Sequence, residues 1–172
     1  MKLIPEWFEH QYCLIAWPCN KDLYGDIINN ARDEVANVIN EIAKTEHVIV
    51  LSNKEDINEI ENKTNLENID ILECKLDDSW MRDIAPIFYN EDKKLKSISF
   101  DFNGYGKYPD YFNDNKVSKF ISNHLNIPTK NSDLVIEGGA ITYDDRKNLF
   151  STKNVLFNKN RKQRHSNEYI IK

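Results

Sequence analysis

Two carboxylates stand at equivalent places in an ungapped internal repeat. Asp83-Ile84-Ala85-Pro86-Ile87-Phe88-Tyr89-Asn90-Glu91 matches Glu137-Gly138-Gly139-Ala140-Ile141-Thr142-Tyr143-Asp144-Asp145, about 54 residues further on by subtraction of residue numbers. The match runs on through Lys93 with Lys147, Leu95 with Leu149 and Ser97 with Ser151. If units of this kind pack around an axis, equivalent positions point the same way, and Asp83 and Glu137 converge. Two facing acids repel, and the pKa of one rises; a guanidinium or ammonium between them removes the conflict through charge-assisted hydrogen bonds. The chemistry implied is recognition of a small cation. The competing reading makes Asp83 a turn cap or a partner of Arg82, and Glu137 a solvated residue before a Gly-Gly turn.

Groups able to attack a bond are harder to find. Cys13 and Cys74 fall in expected strands and Cys19 follows Pro18, settings typical of inert structural thiols. The three Cys form no Cys-x-x-Cys pair, so neither a disulfide framework nor a zinc site is suggested. Asn103-Gly104-Tyr105-Gly106 lacks the third Gly and the strand-to-helix setting of a nucleotide loop and reads as a flexible loop. Arg161-Lys162-Gln163-Arg164-His165 reads as a short, solvated basic run.

The elements that must position the acids alternate. Tyr12 to Trp17, His47 to Leu51 and Ile69 to Cys74 read as strands. Asp26 to Lys44 carries Ile27, Ile28, Ala31, Val35, Val38, Ile39 and Ile42 as the stripe of an amphipathic helix, and Glu55 to Asn62 reads as a short polar helix. Ala85 to Tyr89 and Ser97 to Phe102 flank a hairpin turn; Asn115 to Asn126 is a helix and Leu134 to Glu137 a strand. Ala140 to Tyr143 and Leu149 to Thr152 form a second hairpin, and Ser166 caps a helix start. A capped helix with so little sequence behind it points to truncation.

At 172 residues the chain is expected to form one compact domain, 1–172. The composition, 40% hydrophobic and 30% charged, excludes disorder as the main state. A net charge of −5 opposes nucleic acid and favours small cations. No apolar run approaches the roughly 18 residues of a membrane span, and residues 1–7 do not read as a signal peptide, so no membrane partner and a cytoplasmic location are expected.

Pro5-Glu6-Trp7-Phe8-Glu9-His10, Ala16-Trp17-Pro18, Asp78-Ser79-Trp80-Met81-Arg82-Asp83-Ile84-Ala85-Pro86, Phe100 to Asn103, Glu137-Gly138-Gly139 and Asn158-Lys159-Asn160-Arg161 resemble, in order, the N-terminal half of agmatine deiminases. Bacterial peptidylarginine deiminases share the pattern. The resemblance implies an α/β pentein-type propeller, here about three of five ββαβ-type blades, and a role in converting agmatine and water to N-carbamoylputrescine and ammonia, a step of putrescine and polyamine biosynthesis. It implies that Asp83 binds the guanidinium nitrogens, that Glu137 holds the guanidinium or orients a catalytic His, and that Trp80 lines the pocket beside the substrate's carbon chain. Core packing is the competing role for Trp80. The family's Gly-His-x-Asp element and C-terminal nucleophilic Cys have no counterpart here, since His10, His47, His124 and His165 are not followed by x-Asp. The isolated chain is therefore expected to be inactive, and either to need a complementing C-terminal chain or to self-associate. A non-catalytic binding or assembly module and a fragment acting on peptidyl-arginine are the alternatives.

Overall fold

The computed structural model describes residues 2–5, 7–144, 146 and 148–171. Two compact units emerge: Glu9–Met81, and Met1–Phe8 with Arg82–Lys172. Strand β1 (Lys2–Leu3) opens the chain and belongs to the second of these.

The first unit runs β2 (Tyr12–Ala16), a single turn α1 (Lys21–Tyr24), α2 (Ile28–Ile42), β3 (His47–Ser52), α3 (Ile57–Lys63) and β4 (Ile69–Glu73). Its sheet is parallel in the order β2-β3-β4, with Tyr12 opposite His47 and Val48 opposite Ile69. A central parallel strand is covered on both faces, which is why β3 is a continuous apolar run with Val48, Ile49, Val50 and Leu51 all buried. Helix α2 lays Ala36 and Ile39 on a core of Trp17, Ala43, Val48, Val50, Ile60 and Ile69. The helix begins later than the apolar stripe suggests. Gly25, at φ +54°, ends α1, and the turn Gly25–Ile27 leaves Ile27 exposed.

One residue breaks the apolar face of α2. Arg32 is buried beside Ala36, its Nε donating to the Pro18 carbonyl at 2.9 Å and its Nη2 to Asp56 at 2.7 Å, with Glu59 on Nη1. Burial pushes the Asp56 carboxyl above the ordinary value against the pull of Arg32.

Helix α4 (Met81–Ile84) leads from one unit to the other in sequence. The second unit contains β5 (Ile87–Glu91), β6 (Lys94–Asp101), α5 (Asp114–His124) and β7 (Thr129–Val135), and its sheet has the order β1-β5-β6-β7. β5 and β6 form an antiparallel hairpin whose turn residues Asp92 and Lys93 take φ 51° and 61°, as a two-residue primed turn requires. β6 then pairs in parallel with β7 after the α5 crossover, so the expected ββαβ arrangement is present. β7 begins five residues before the apolar run that announced it. Thr129 to Asp133 are mostly polar, and backbone pairing with β6 rather than side-chain burial makes them a strand.

The second hairpin, β8 (Thr142–Tyr143) and β9 (Leu149–Phe150), is shorter than expected and departs from the repeat. Tyr89 lies opposite Lys96, yet Tyr143 lies opposite Leu149, one residue short of the ungapped equivalent. The Asp144 carboxylate causes this by drawing the turn closed: it accepts from the Arg146 and Asn148 backbone amides, each at 2.9 Å. Asp145 and Lys147, both in the repeat match, lie outside the described residues. Two further helices, α6 (Lys153–Phe157), which the apolar pattern does not signal, and α7 (Asn167–Ile171), are capped by Thr152 and Ser166. Among the described residues no helix is long and apolar enough to cross a membrane.

Because Arg32 leaves two acids behind when removed, Arg32→Ala is expected to cost about 3–5 kcal/mol in urea unfolding. Lys44→Ala, which breaks an exposed pair with Glu41, should barely move the midpoint. An Arg32→Ala loss below about 1 kcal/mol would mean that its buried contacts do not hold the first unit together.

Candidate functional site

Asp83 sits in the single turn of α4 and is met by two neutral donors. The Tyr105 hydroxyl donates to Oδ2 at 2.7 Å and the Gly139 amide to Oδ1 at 2.9 Å. Glu137 stands on extended backbone between β7 and the tight turn Gly138–Ala140. The two glycines are packing requirements. A Cβ on Gly138 would lie 2.4 Å from the Arg82 carbonyl oxygen, and one on Gly139 would lie 2.2 Å from Asp83 Oδ1. The Glu-Gly-Gly element thus lets the second repeat settle directly against the first.

Glu137 is 1% exposed and forms an ion pair with Arg161, so the solvated reading of this residue is corrected. Beyond this charge contact, neither carboxylate oxygen of Glu137 nor Arg161 Nη1 has a hydrogen-bond partner among the described residues. The Arg161 guanidinium lies 5.7 Å from the Tyr105 ring centroid. Burial lowers the Arg161 pKa, while Tyr105 and Asp83 oppose that shift. Tyr105 thus touches both sides of this arrangement, its hydroxyl on Asp83 and its ring beside the guanidinium that pairs with Glu137.

Two segments read as featureless in the sequence carry this arrangement. Asn103 to Gly106 is an ordered 3-10 turn rather than a flexible loop, with Tyr105 at φ +62°. Asn103 accepts from the Gly106 amide at 2.9 Å and donates to the Arg161 carbonyl at 2.8 Å. Gly106, at φ +67°, lies so close to Asn160 that a Cβ would be 2.2 Å from its carbonyl oxygen. The basic run is likewise no solvated patch. Gln163 exchanges two hydrogen bonds with the Val135 backbone, Arg164 pairs with Asp101 at 2.9 Å and His165 with Asp133 at 2.8 Å, holding the Asp133 carboxyl below its ordinary value. Arg161 and Tyr105 were missed as site residues because their roles arise from contacts distant in sequence. The Asn158 to Arg161 motif was the one available signal.

Trp80 belongs to the first unit. It is 49% exposed, donates its indole N–H to Asp78 at 2.7 Å and lines, with Leu14, Tyr24, Val35 and Val38, a groove of ≈ 330 Å³ formed within that unit. Core packing does not describe it. Cys13, Cys19 and Cys74 are unpaired by disulfides; burial, with Glu46 nearby, pushes the Cys13 thiol upward. Cys74 is buried just beyond β4. His10 and His47 pair with Glu46 and Asp70 at 2.6 and 2.8 Å. Among the described residues no cluster of three His, Cys, Asp or Glu could hold a metal.

The profile of the Porphyromonas-type peptidyl-arginine deiminases matches residues 2–172. The chain belongs to that family. It is 35% identical over 173 residues to a Mycoplasma capricolum protein provisionally named an agmatine deiminase, covering 96% of this chain and 47% of that protein. The agmatine deiminase of Medicago truncatula is 29% identical over 91% of this chain and 45% of its own length. The structure of the Enterococcus faecalis agmatine deiminase matches 99% of this chain and 48% of that one with a TM-score of 0.91 at 21% identity, so the two share an α/β fold. The chain spans about half the length of the curated relatives it matches.

Two consequences can be measured. Gly139→Ala forces its methyl into the Asp83 carboxylate and should destabilise the chain by about 1–3 kcal/mol in denaturant unfolding. Unchanged stability would show that the two repeats are not in close contact there. Because its thiol is shifted upward, Cys13 should be alkylated by iodoacetamide at pH 8 more slowly than free cysteine; equal or faster labelling by mass spectrometry would reopen it as a nucleophile.

Proposed function

We propose that this chain forms the guanidinium-binding, N-terminal part of an agmatine deiminase-type hydrolase, a truncated single propeller domain over residues 1–172 with about three of its five blades. The observation that carries this reading is the Asp83 carboxylate, held by Tyr105 and Gly139 beside a second, buried acid, in a chain that agmatine deiminases match over nearly its full length. A carboxylate fixed by two neutral donors offers an incoming guanidinium a preset geometry. Trp80, half-exposed above an apolar groove, suits the aliphatic carbons of agmatine.

The reaction needs groups from outside this sequence. A Cys thiolate attacks the guanidinium carbon, a His proton accompanies the C–N bond as ammonia leaves, and water then splits the amidino-thioether, returning the thiolate and N-carbamoylputrescine. Those groups would come from a complementing C-terminal chain or segment, with the reaction taking place in the cytoplasm as a step toward putrescine and other polyamines. No metal or organic cofactor enters this scheme. The family's description favours a second reading, action on peptidyl-arginine, which a substrate panel of agmatine, free arginine and arginyl peptides separates. Without a complementing chain, self-association is the expected state, since Phe8, Phe112, Leu149 and Phe150 of the second unit are all more than half exposed.

The purified 172-residue chain should release no ammonia from agmatine. Supplied with the C-terminal half of a full-length relative, it should gain turnover, and Asp83→Asn should then lower kcat/KM by roughly tenfold to a hundredfold, about 1.5–3 kcal/mol. Asp92→Asn, in the β5–β6 turn, controls for generic charge loss and should have almost no effect. Full activity of the Asp83→Asn protein below the Michaelis constant would refute its role. A complemented protein that binds agmatine without turnover would favour a non-catalytic binding module instead.

A further inference from the structure

We propose that the open edge of β2 is a docking site for an antiparallel strand of the complementing C-terminal segment. The inference rests on the reading of this chain as one part of a larger hydrolase, but its test needs no turnover.

β2 stands at the end of its sheet and, among the described residues, pairs with β3 alone. The Trp17 amide donates to the Leu51 carbonyl, so by the alternation of a strand Cys13 and Ile15 also turn their backbone groups toward β3. Tyr12 and Leu14 turn theirs outward. Sheet edges are usually blunted by charge, proline or cover, and β4, at the other end of this sheet, carries Asp70 and Glu73. Tyr12-Cys13-Leu14-Ile15-Ala16 carries no such device. The groove of ≈ 330 Å³ lies against this edge, lined by Leu14 and Ile15 and walled by Val35 and Val38 of α2. Val38 is 51% exposed there. Apolar walls beside unpaired backbone groups are what strand addition requires. Trp80 lines the same groove, so a docked strand borders the residue assigned to the agmatine carbons.

The second unit shows what fits such an edge. β6, α5 and β7 repeat the arrangement of β2, α2 and β3: a strand, a crossover helix and a parallel strand. On the other side of β6 lies β5, antiparallel and five residues long, with Ile87 opposite Ile98 and Phe88 opposite Ser97. β2 has no such neighbour, because the strand that precedes it among the described residues, β1, pairs with β5. The occupant therefore comes from elsewhere, and the relatives are about twice as long as this chain. Its chemistry follows from the register. A residue opposite Ile15 falls on the α2 face, against Val35 and Val38, so the incoming run is extended, uncharged and apolar on that face, about five residues long like the strand it joins.

The test uses the 172-residue chain and, as the probe, the C-terminal half of a full-length relative. In the free chain the outward Leu14 amide should exchange with deuterium fast and the inward Ile15 amide slowly; with the probe bound, Leu14 exchange should slow by about tenfold or more. Leu14→Pro removes only an outward N–H, so it should leave the thermal midpoint nearly unmoved and weaken binding roughly a hundredfold in calorimetry. Should Leu14→Pro not fold, Val38→Asp puts a charge into the groove from an exposed position and should weaken binding by about tenfold or more, whereas Leu66→Asp, exposed outside the groove, should not. The inference falls if the probe does not bind, or binds the Leu14 and Val38 variants as tightly as the parent. It falls equally if Leu14 is protected in the free chain, or becomes so as chain concentration rises, which would make a second copy the occupant. Turnover with Leu14 unprotected would overturn the inference and keep the proposed function; Leu14 protection without turnover would do the reverse.

Discussion

A carboxylate sealed from water must have a cation, and much of the second unit follows from meeting that need at Glu137. The cation is Arg161, and its place depends on the strap pinned along β6 and β7 by Gln163, Arg164 and His165. The strap in turn depends on the Asn103 to Gly106 turn, whose asparagine holds the Arg161 carbonyl and whose second glycine makes room for Asn160. That turn forces Tyr105 into a left-handed conformation, which directs its hydroxyl to Asp83. One buried charge therefore determines, through a series of contacts, how the neighbouring acid is held. The strain at Tyr105 is tolerated because the surroundings over-determine it.

The glycines of Glu-Gly-Gly set the other dimension of the site. With any side chain at Gly138 or Gly139, the second repeat could not reach the Arg82 carbonyl or the Asp83 carboxylate. The motif is thus an approach distance written into the sequence, and the Gly139 amide turns that approach into a hydrogen bond. Groups fixed by close packing and by neutral donors do not have to reorganise when a cation arrives, which is the physical basis of a preorganised binding site.

What could be read from the sequence was what local patterning controls. The α2 stripe, the apolar run of β3 and the β5–β6 hairpin are consequences of periodicity and turn chemistry, and all three formed close to their expected limits. Arg32 escaped notice because a buried charge on an apolar face is defined by Asp56 and Glu59, more than twenty residues away. β7 was half read, since its polar residues are ordered by backbone pairing, and β1 is too short for any period to register. The repeat drew attention to Asp83 and Glu137, yet it could not reveal that Arg161 would pair with Glu137. A basic run looks the same in sequence whether it faces water or a buried acid.

The groups held here are suited to binding and poorly suited to attack, and the distinction is physical. Recognition of a guanidinium asks for a fixed anion, which donors and packing can supply from within a sheet and its turns. Nucleophilic attack asks for a thiolate, and burial in a sheet opposes that charge, as the upward shift at Cys13 illustrates. Cys74 is buried just beyond β4, and Cys19 directs its sulfur toward the Leu76 carbonyl at 3.7 Å. None of the three stands in the electropositive, open setting that activates a cysteine. In the function proposed above, therefore, the carboxylates hold the guanidinium carbon in place and the bond-breaking step falls to a thiolate and a proton carrier supplied from outside this sequence.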